Sequence, residues 1–276
     1  MKRTVLLTLA LGAVIAVLFA LFPQWDMAIT SWFWHAGAGG FPLAGTLAGQ
    51  ILRKAGNIIP WLFAAPAFGA IILKLLFPAA PMLMRPRAAL FLALTMALAP
   101  GLMVNGLLKE YWGRPRPVHV EDFGGKDAFT PWYSTDGACP ANCSFVSGEG
   151  ALGFWMIAPA SLAPAPWRGP ALVAAAAFGA AAGGLRIAFG GHFFTDVVFS
   201  AVLTILIIAL ARWLLLLRPG GPDDARVEAF IGRCGRHLHA FARLLWRWCV
   251  QITRSAARLA RAGLRRLPLP RRGPGL

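Results

Sequence analysis

Lys109, Arg114, Arg116 and Arg186 are four cations set at the edges of long apolar stretches. His192 follows Arg186 by six residues, and Asp196 stands four further on. These residue types suit an anion, and a phosphate in particular. An arginine fork matches two phosphate oxygens at once, while a lysine ammonium acts as a point charge. Ser147-Gly148 opens another apolar run. If that run is helical, its free N–H groups and positive dipole end attract an anion further. His192 and Asp196 are spaced i and i+4, so on a helix they share one face. A carboxylate bonded to one imidazole nitrogen fixes the tautomer and leaves the other nitrogen as nucleophile or base. Cations around an oriented histidine suit phosphoryl transfer through a phosphohistidine. Each residue also has a plainer use. Lys and Arg at helix ends snorkel to head groups, a Ser before a helix is an N-cap, and a lone His near an interface is commonly structural. The joint pattern is what separates the two readings.

Composition says what scaffold must hold these groups. Of 276 residues, 58% are hydrophobic and 14% are charged, against about 25% charged in a soluble domain. That apolar content excludes disorder. Apolar runs near 20 residues exclude a soluble core and leave an all-α, polytopic membrane protein. Six spans are expected, at about 4–22, 58–77, 88–108, 150–165, 171–191 and 193–217, each long enough for about 30 Å of hydrocarbon. The fourth is the weakest, being short and carrying Pro159 and Pro164. The first has a basic start at Lys2 and Arg3. It reads as a retained helix rather than a cleaved signal peptide, because no clear small-x-small site precedes Pro23.

Short-loop cations set the orientation. Lys2, Arg3, Arg85, Arg87, Arg168 and the Arg-rich tail fall on one side, so both termini are expected in the cytoplasm. Arg53 and Lys54 are the exception. They close a Gly-, Trp- and Phe-rich segment, 24–57, expected to lie along the outer interface. The outer side also receives the 109–149 loop, which holds Glu110, Glu121, Asp122, Asp127, Asp136 and Glu149. On this topology the Lys109–Arg116 stretch, Ser147-Gly148 and the Arg186–Asp196 stretch meet at the outer surface.

The pattern resembles the type 2 phosphatidic acid phosphatase (PAP2) superfamily of integral membrane lipid phosphatases. That family's first motif, Lys-x6-Arg-Pro, reads Lys109 to Arg116-Pro117 here. Its third, Ser-Arg-x5-His-x3-Asp, is matched by Arg186, His192 and Asp196. The resemblance covers roughly residues 88–217. It implies His192 as the phosphoryl-accepting nucleophile and Asp196 as its orienting group. It implies Lys109, Arg116, Ser147, Gly148 and Arg186 as the phosphate-binding set, with no cofactor and no metal. Arg114 lies outside the matched positions and has no role by resemblance. Two positions depart. Leu185 stands where the family has Ser before Arg186. Glu149 replaces the His of the second motif, Pro-Ser-Gly-His, which here reads Val146-Ser147-Gly148-Glu149. That His is understood to protonate the leaving oxygen and later to help activate water. Repulsion from a bound phosphate would favour a protonated Glu149 able to do the same. The alternatives are that His119 is the acid, or that the site is slow or inactive.

The expected function is hydrolysis of a lipid phosphomonoester or pyrophosphate, with the site on the extracytoplasmic side, in a bacterial inner membrane. The alternatives are a lipid phosphotransferase and a non-catalytic lipid-phosphate binder. Cys139 and Cys143, four apart in the outer loop, are expected to form a disulfide there. Cys234 and Cys249 belong to the tail and are expected to stay reduced. The net charge is +16, and residues 218–276 carry ten of it, with 13 Arg against Asp223, Asp224 and Glu228. Arginines 236, 243, 247, 254, 258, 261 and 265 share one helical face. Leu238, Phe241, Leu245, Trp248, Ile252, Ala256 and Leu259 lie opposite. This reads as a basic amphipathic helix lying on the anionic cytoplasmic leaflet, followed by a disordered Pro/Gly-rich end. Its strong apolar face, in place of interleaved basic and stacking positions, argues against a nucleic-acid partner.

Overall fold

The computed structural model describes residues 2–264. Among the described residues five helices are long and apolar enough to cross a membrane: α1 (Lys2–Leu21), α3 (Leu47–Leu76), α4 (Pro86–Tyr111), α7 (Ala165–Ala188) and α8 (Phe194–Leu217). A short α2 (Gln24–Ser31) follows α1, and α9 (Asp224–Leu264) follows α8. The expected fourth span is broken. It folds as α5 (Gly148–Phe154) and α6 (Ile157–Ser161), of 7 and 5 residues, joined by a turn at Trp155 and Met156. Of the prolines that weakened this segment in the sequence, Pro159 lies inside α6 and Pro164 lies just beyond it.

The second span starts earlier than expected, at Leu47 rather than near residue 58. The Thr46 hydroxyl accepts the Gly49 N–H at 3.0 Å, an N-cap that starts the helix there. Arg53 and Lys54 are therefore helical residues of α3, and the interfacial segment ends at about residue 46. Pro60 and Pro66 stay inside this helix, as neighbouring helices permit in a membrane protein. In α4 the turns from Ala97 to Leu108 widen to a π-helix around Pro100. The Asn105 amide donates to the Pro100 carbonyl at 2.6 Å, and one turn later the helix delivers Lys109.

Close packing depends on small residues. A Cβ on Gly153 would meet the Gly179 Cα at 3.0 Å, and one on Gly179 would meet the Phe154 ring at 2.4 Å. That lets α5 lie directly on α7, as small residues do between membrane helices. Outward faces are apolar instead: Leu6, Leu7, Leu11 and Val17 of α1 are all more than half exposed, which suits a lipid-facing surface.

The bundle has two distinct polar ends. At one, Lys74 pairs with Glu228 at 3.0 Å, the Arg87 N–H donates to Asp224 at 2.9 Å, and the Arg87 side chain donates to the Leu215 carbonyl at 2.6 Å. These contacts fasten the first turns of α9 across the ends of α3, α4 and α8. Gly235 permits the approach, since a Cβ there would lie 2.6 Å from the Leu75 carbonyl. The motif residues gather at the other end.

Candidate active site

Arg186 and His192 come from the end of α7 and the turn before α8. A Cβ on Gly191 would lie 2.2 Å from an Arg186 guanidinium nitrogen. The absence of that Cβ lets the arginine fold down over the turn, next to His192. Arg186 is buried, and its Nε has no hydrogen-bond partner. An unpartnered buried guanidinium N–H is costly unless a ligand satisfies it. Gly148 does for Lys109 what Gly191 does for Arg186. A Cβ there would lie 3.2 Å from the lysine Nζ, so the ammonium rests against the N-terminus of α5. Ser147 caps that helix, its hydroxyl accepting the Gly150 N–H at 3.1 Å. Its hydroxyl proton remains available to a bound anion.

The histidine is held differently from the sequence expectation. His192 Nδ1 lies 2.7 Å from the Ser144 carbonyl oxygen, and Asp196 is 3.7 Å away, too far for a hydrogen bond. The carbonyl makes Nδ1 the protonated nitrogen and leaves Nε2 with its lone pair. Asp196 acts on Ser144 instead, accepting its hydroxyl at 2.5 Å. The same carboxylate accepts the Phe193 N–H at 2.8 Å and an Arg114 nitrogen at 2.6 Å. Burial is the main reason the His192 imidazolium is disfavoured, and Arg186 and Lys109 add to it. Against the opposing effect of Asp196, its pKa is lowered to about 4.

Arg114 proves to be the hub of this end. It is fully buried. One nitrogen meets Asp196 and the Thr195 hydroxyl, another meets Asp26 at 2.8 Å, and its Nε donates to the Thr130 carbonyl. Asp26, on α2, also accepts the Thr195 N–H at 3.0 Å. Spacing could not reveal this, because Asp26 is 88 residues from Arg114. The available signal was an acid in an otherwise apolar outer segment.

Arg116 approaches from the loop. Its fork holds the Asn142 backbone carbonyl at 2.8 Å and side-chain oxygen at 2.7 Å. Lys109 reaches the same side-chain oxygen at 3.4 Å. Asn142 adopts a left-handed φ of 52°, which asparagine tolerates better than most residues. It lies between Cys139 and Cys143, which are disulfide-bonded as expected. Cys234 and Cys249 are free.

Glu149 is part of the cluster, but it already has partners. Arg53 donates to both its oxygens, at 2.7 to 3.2 Å, and Arg186 Nε lies 3.5 Å from Oε1. Burial would raise this carboxyl's pKa. The Arg53 hydrogen bonds and the charges of Arg186 and Arg53 outweigh it, and the net direction is downward. Without substrate Glu149 is therefore an ionised carboxylate. Arg53 is a site residue that the sequence reading assigned to the interface. His119 is exposed in the loop, and Leu185 lines an apolar cleft with Leu52, Ala55 and Ile59.

A cleft of about 360 Å³ opens from this cluster between α3 and α4. Asn57, Asn105, Lys109 and Glu149 line its polar head, and Trp61, Phe68 and Met96 line its apolar length.

Comparison with known proteins places these residues in context. The model of the PAP2 superfamily matches residues 88–218. The lipid A 4'-phosphatase of Francisella tularensis subsp. novicida is 36% identical over 194 residues, which cover 67% of this chain and 84% of that protein. A lipid A 4'-phosphatase of Rhizobium leguminosarum is 33% identical over 172 residues, 62% of this chain and 74% of that protein. No solved structure matches the chain. The matched segment runs from the helix that carries Lys109 to the end of the helix that carries Asp196, and on this agreement the chain belongs to the PAP2 superfamily.

Proposed function

We propose that the protein is a membrane lipid phosphatase that hydrolyses a lipid phosphomonoester through a phosphohistidine, with the phosphate of a lipid A-type glycolipid as the first substrate to test. The single observation that carries this is the placement of His192, its Nδ1 held by the Ser144 carbonyl, beside the buried Arg186 Nε, which makes no hydrogen bond. The lipid class comes from the relatives, which are lipid A 4'-phosphatases. Lys109, Arg116, Arg186, Ser147 and Gly148 hold the phosphate oxygens. His192 Nε2 attacks phosphorus while the P–O bond to the lipid breaks. Glu149, ionised before substrate arrives, takes a proton from solvent as the phosphate binds, gives it to the leaving oxygen, and then takes one from the water that cleaves the P–N bond, releasing phosphate.

The site faces the extracytoplasmic side of a bacterial inner membrane, and both termini lie in the cytoplasm. The support is that Arg85, Arg87, Arg168 and the start of α9 all belong to the opposite end of the bundle. Residues 1–217 form the phosphatase domain. The tail helix rests on the anionic cytoplasmic leaflet. On α9, Leu238, Phe241, Trp248 and Ile252 are more than half exposed, which suits burial in head groups. The expectation for its Pro/Gly-rich end, from residue 265, lies outside the described residues.

Purified protein in detergent would be given lipid A, phosphatidic acid, phosphatidylglycerol phosphate and undecaprenyl pyrophosphate. Phosphate release is measured with His192→Ala alongside, and mass spectrometry locates the phosphate lost from lipid A. Release abolished in His192→Ala is the expected result. Release that survives in it would sink the mechanism. One observation favours a second reading, a non-catalytic lipid-phosphate binder: Glu149 is held ionised by two arginines rather than poised as an acid. That reading predicts binding without turnover.

A further inference from the structure

We propose that Arg53 is a further phosphate-binding residue, which releases Glu149 and takes up the substrate phosphate as it binds. The inference rests on the reading of this pocket as a phosphate site. Glu149 Oε1 is the shared point: Arg53 lies 2.7 Å and Arg186 Nε 3.5 Å from that one oxygen. A guanidinium that meets the same oxygen as Arg186 is within reach of a phosphate that Arg186 holds. Arg53 is also able to move. Its side chain is 41% exposed, against 7% for Arg186, and it lies one helical turn before Asn57, which lines the cleft.

The charges around Glu149 give the exchange its direction. Arg53 faces it from α3, Arg186 from α7, and Lys109 and Arg116 from α4 and the loop beyond it. Asp196, the other carboxylate of the site, is already occupied by Arg114, and Glu110 also acts on Lys109. An arriving phosphate dianion repels Glu149 and attracts Arg53. When Arg53 turns to the phosphate, Glu149 loses its strongest stabilising partner and takes a proton from solvent. That proton is the one it then gives to the leaving oxygen. A carboxylate can in this way stand where the family has a histidine, with acid form generated by substrate binding. The pairing also accounts for an arginine on α3, outside the segment 88–218 that matches the family model.

The test is orthophosphate binding to the detergent-purified full-length protein, followed calorimetrically for the wild type, Arg53→Gln, Glu149→Gln and the double variant. Removing a charged hydrogen-bonding group is expected to weaken phosphate binding about tenfold or more. The loss should be larger in the Glu149→Gln background, where Arg53 is already free for phosphate. In turnover assays the alkaline limb of the kcat profile should move to higher pH in Arg53→Gln, because the acid form of Glu149 persists further. A change in phosphate affinity below about fivefold in both backgrounds would overturn the proposal and leave Arg53 as an ion-pair partner only. If Arg53→Gln is poorly folded, Arg53→Met keeps the aliphatic stem and is judged by the same criterion. Because binding is read without lipid turnover, failure of the phosphatase reading and failure of this proposal are separable.

Discussion

Arg114 joins Asp196 to Asp26, one nitrogen 2.6 Å from the first carboxylate and another 2.8 Å from the second, with all three side chains almost wholly buried. The relationship ties α2, which precedes the family-matched segment, to the helix that follows His192. A buried pair broken on one side leaves an uncompensated charge, at a cost of about 3–5 kcal/mol. Arg114→Ala is therefore expected to destabilise the folded protein by that order. Arg114→Lys, which cannot reach both carboxylates in one plane, should recover only part of it. Thermal unfolding in detergent measures both, and an unchanged midpoint in Arg114→Ala would contradict the assignment.

Ser144 carries the influence of Asp196 to His192, through a hydroxyl on one side and a carbonyl on the other. Ser144→Ala keeps the carbonyl and removes the hydroxyl. The lost charge-assisted bond is worth about 1.5–3 kcal/mol, so kcat should fall roughly tenfold to a hundredfold with little change in KM. A loss confined to KM would show that the hydroxyl serves binding instead.

The pH dependence follows from a His192 pKa lowered to about 4. On the proposed mechanism His192 must be unprotonated to attack, and with that pKa it stays so throughout the neutral range. The acid limb of kcat/KM attributable to His192 should then lie near pH 4 rather than near the ordinary value of about 6.5. Stability runs the same way. Between those two values the unfolded chain binds the proton and the folded one does not, so acidification through this window favours unfolding. A rate profile with its acid limb near 6.5 in the wild type would contradict the buried, neutral assignment.

That Lys109, Arg116, Arg186 and His192 gather at one end was legible from spacing, because motifs read along successive helices become a cluster once the helix ends meet. The apolar runs likewise foretold the spanning helices, since length and hydropathy are local properties. Three things were not local. The cap at Thr46 lengthened α3 and turned Arg53 from an interfacial residue into a partner of Glu149. The i, i+4 spacing of His192 and Asp196 suggested a direct bond. His192 instead precedes the helix, in the turn that starts at Gly190 with a φ of 64°, and its ring points to Ser144. Asp26 had no sequence neighbour of opposite charge to mark it, because its partner arrives from a distant loop.

Asn142 fills the fork of Arg116 with two of its own oxygens, and a phosphate must displace at least one. Asn142→Gly removes the side-chain oxygen and keeps the left-handed backbone without strain. Orthophosphate should bind this variant more tightly, by about two- to tenfold for one neutral acceptor lost to a charged donor. Weaker binding would mean that Asn142 organises Arg116 and Lys109 for the phosphate rather than competing with it.

The tail helix has a separate physical test. Its 41 residues extend about 60 Å at 1.5 Å per residue. Its anchors, Glu228 and Asp224, use only the first turns. Between Gly235 and Ser255 most of its large apolar side chains are exposed beside a row of arginines. Each arginine near an anionic surface contributes about 1 kcal/mol, and that attraction decays within a Debye length of about 10 Å at 0.1 M salt. A peptide of residues 226–264 should therefore become helical on phosphatidylglycerol vesicles and stay unfolded with phosphatidylcholine. Circular dichroism reads the helix, and co-sedimentation reads the binding. Raising the salt to 0.5 M should release most of the peptide, because the apolar face alone must then hold it. Binding equal on both lipids and insensitive to salt would assign the helix to a purely apolar contact and remove the arginines from the account.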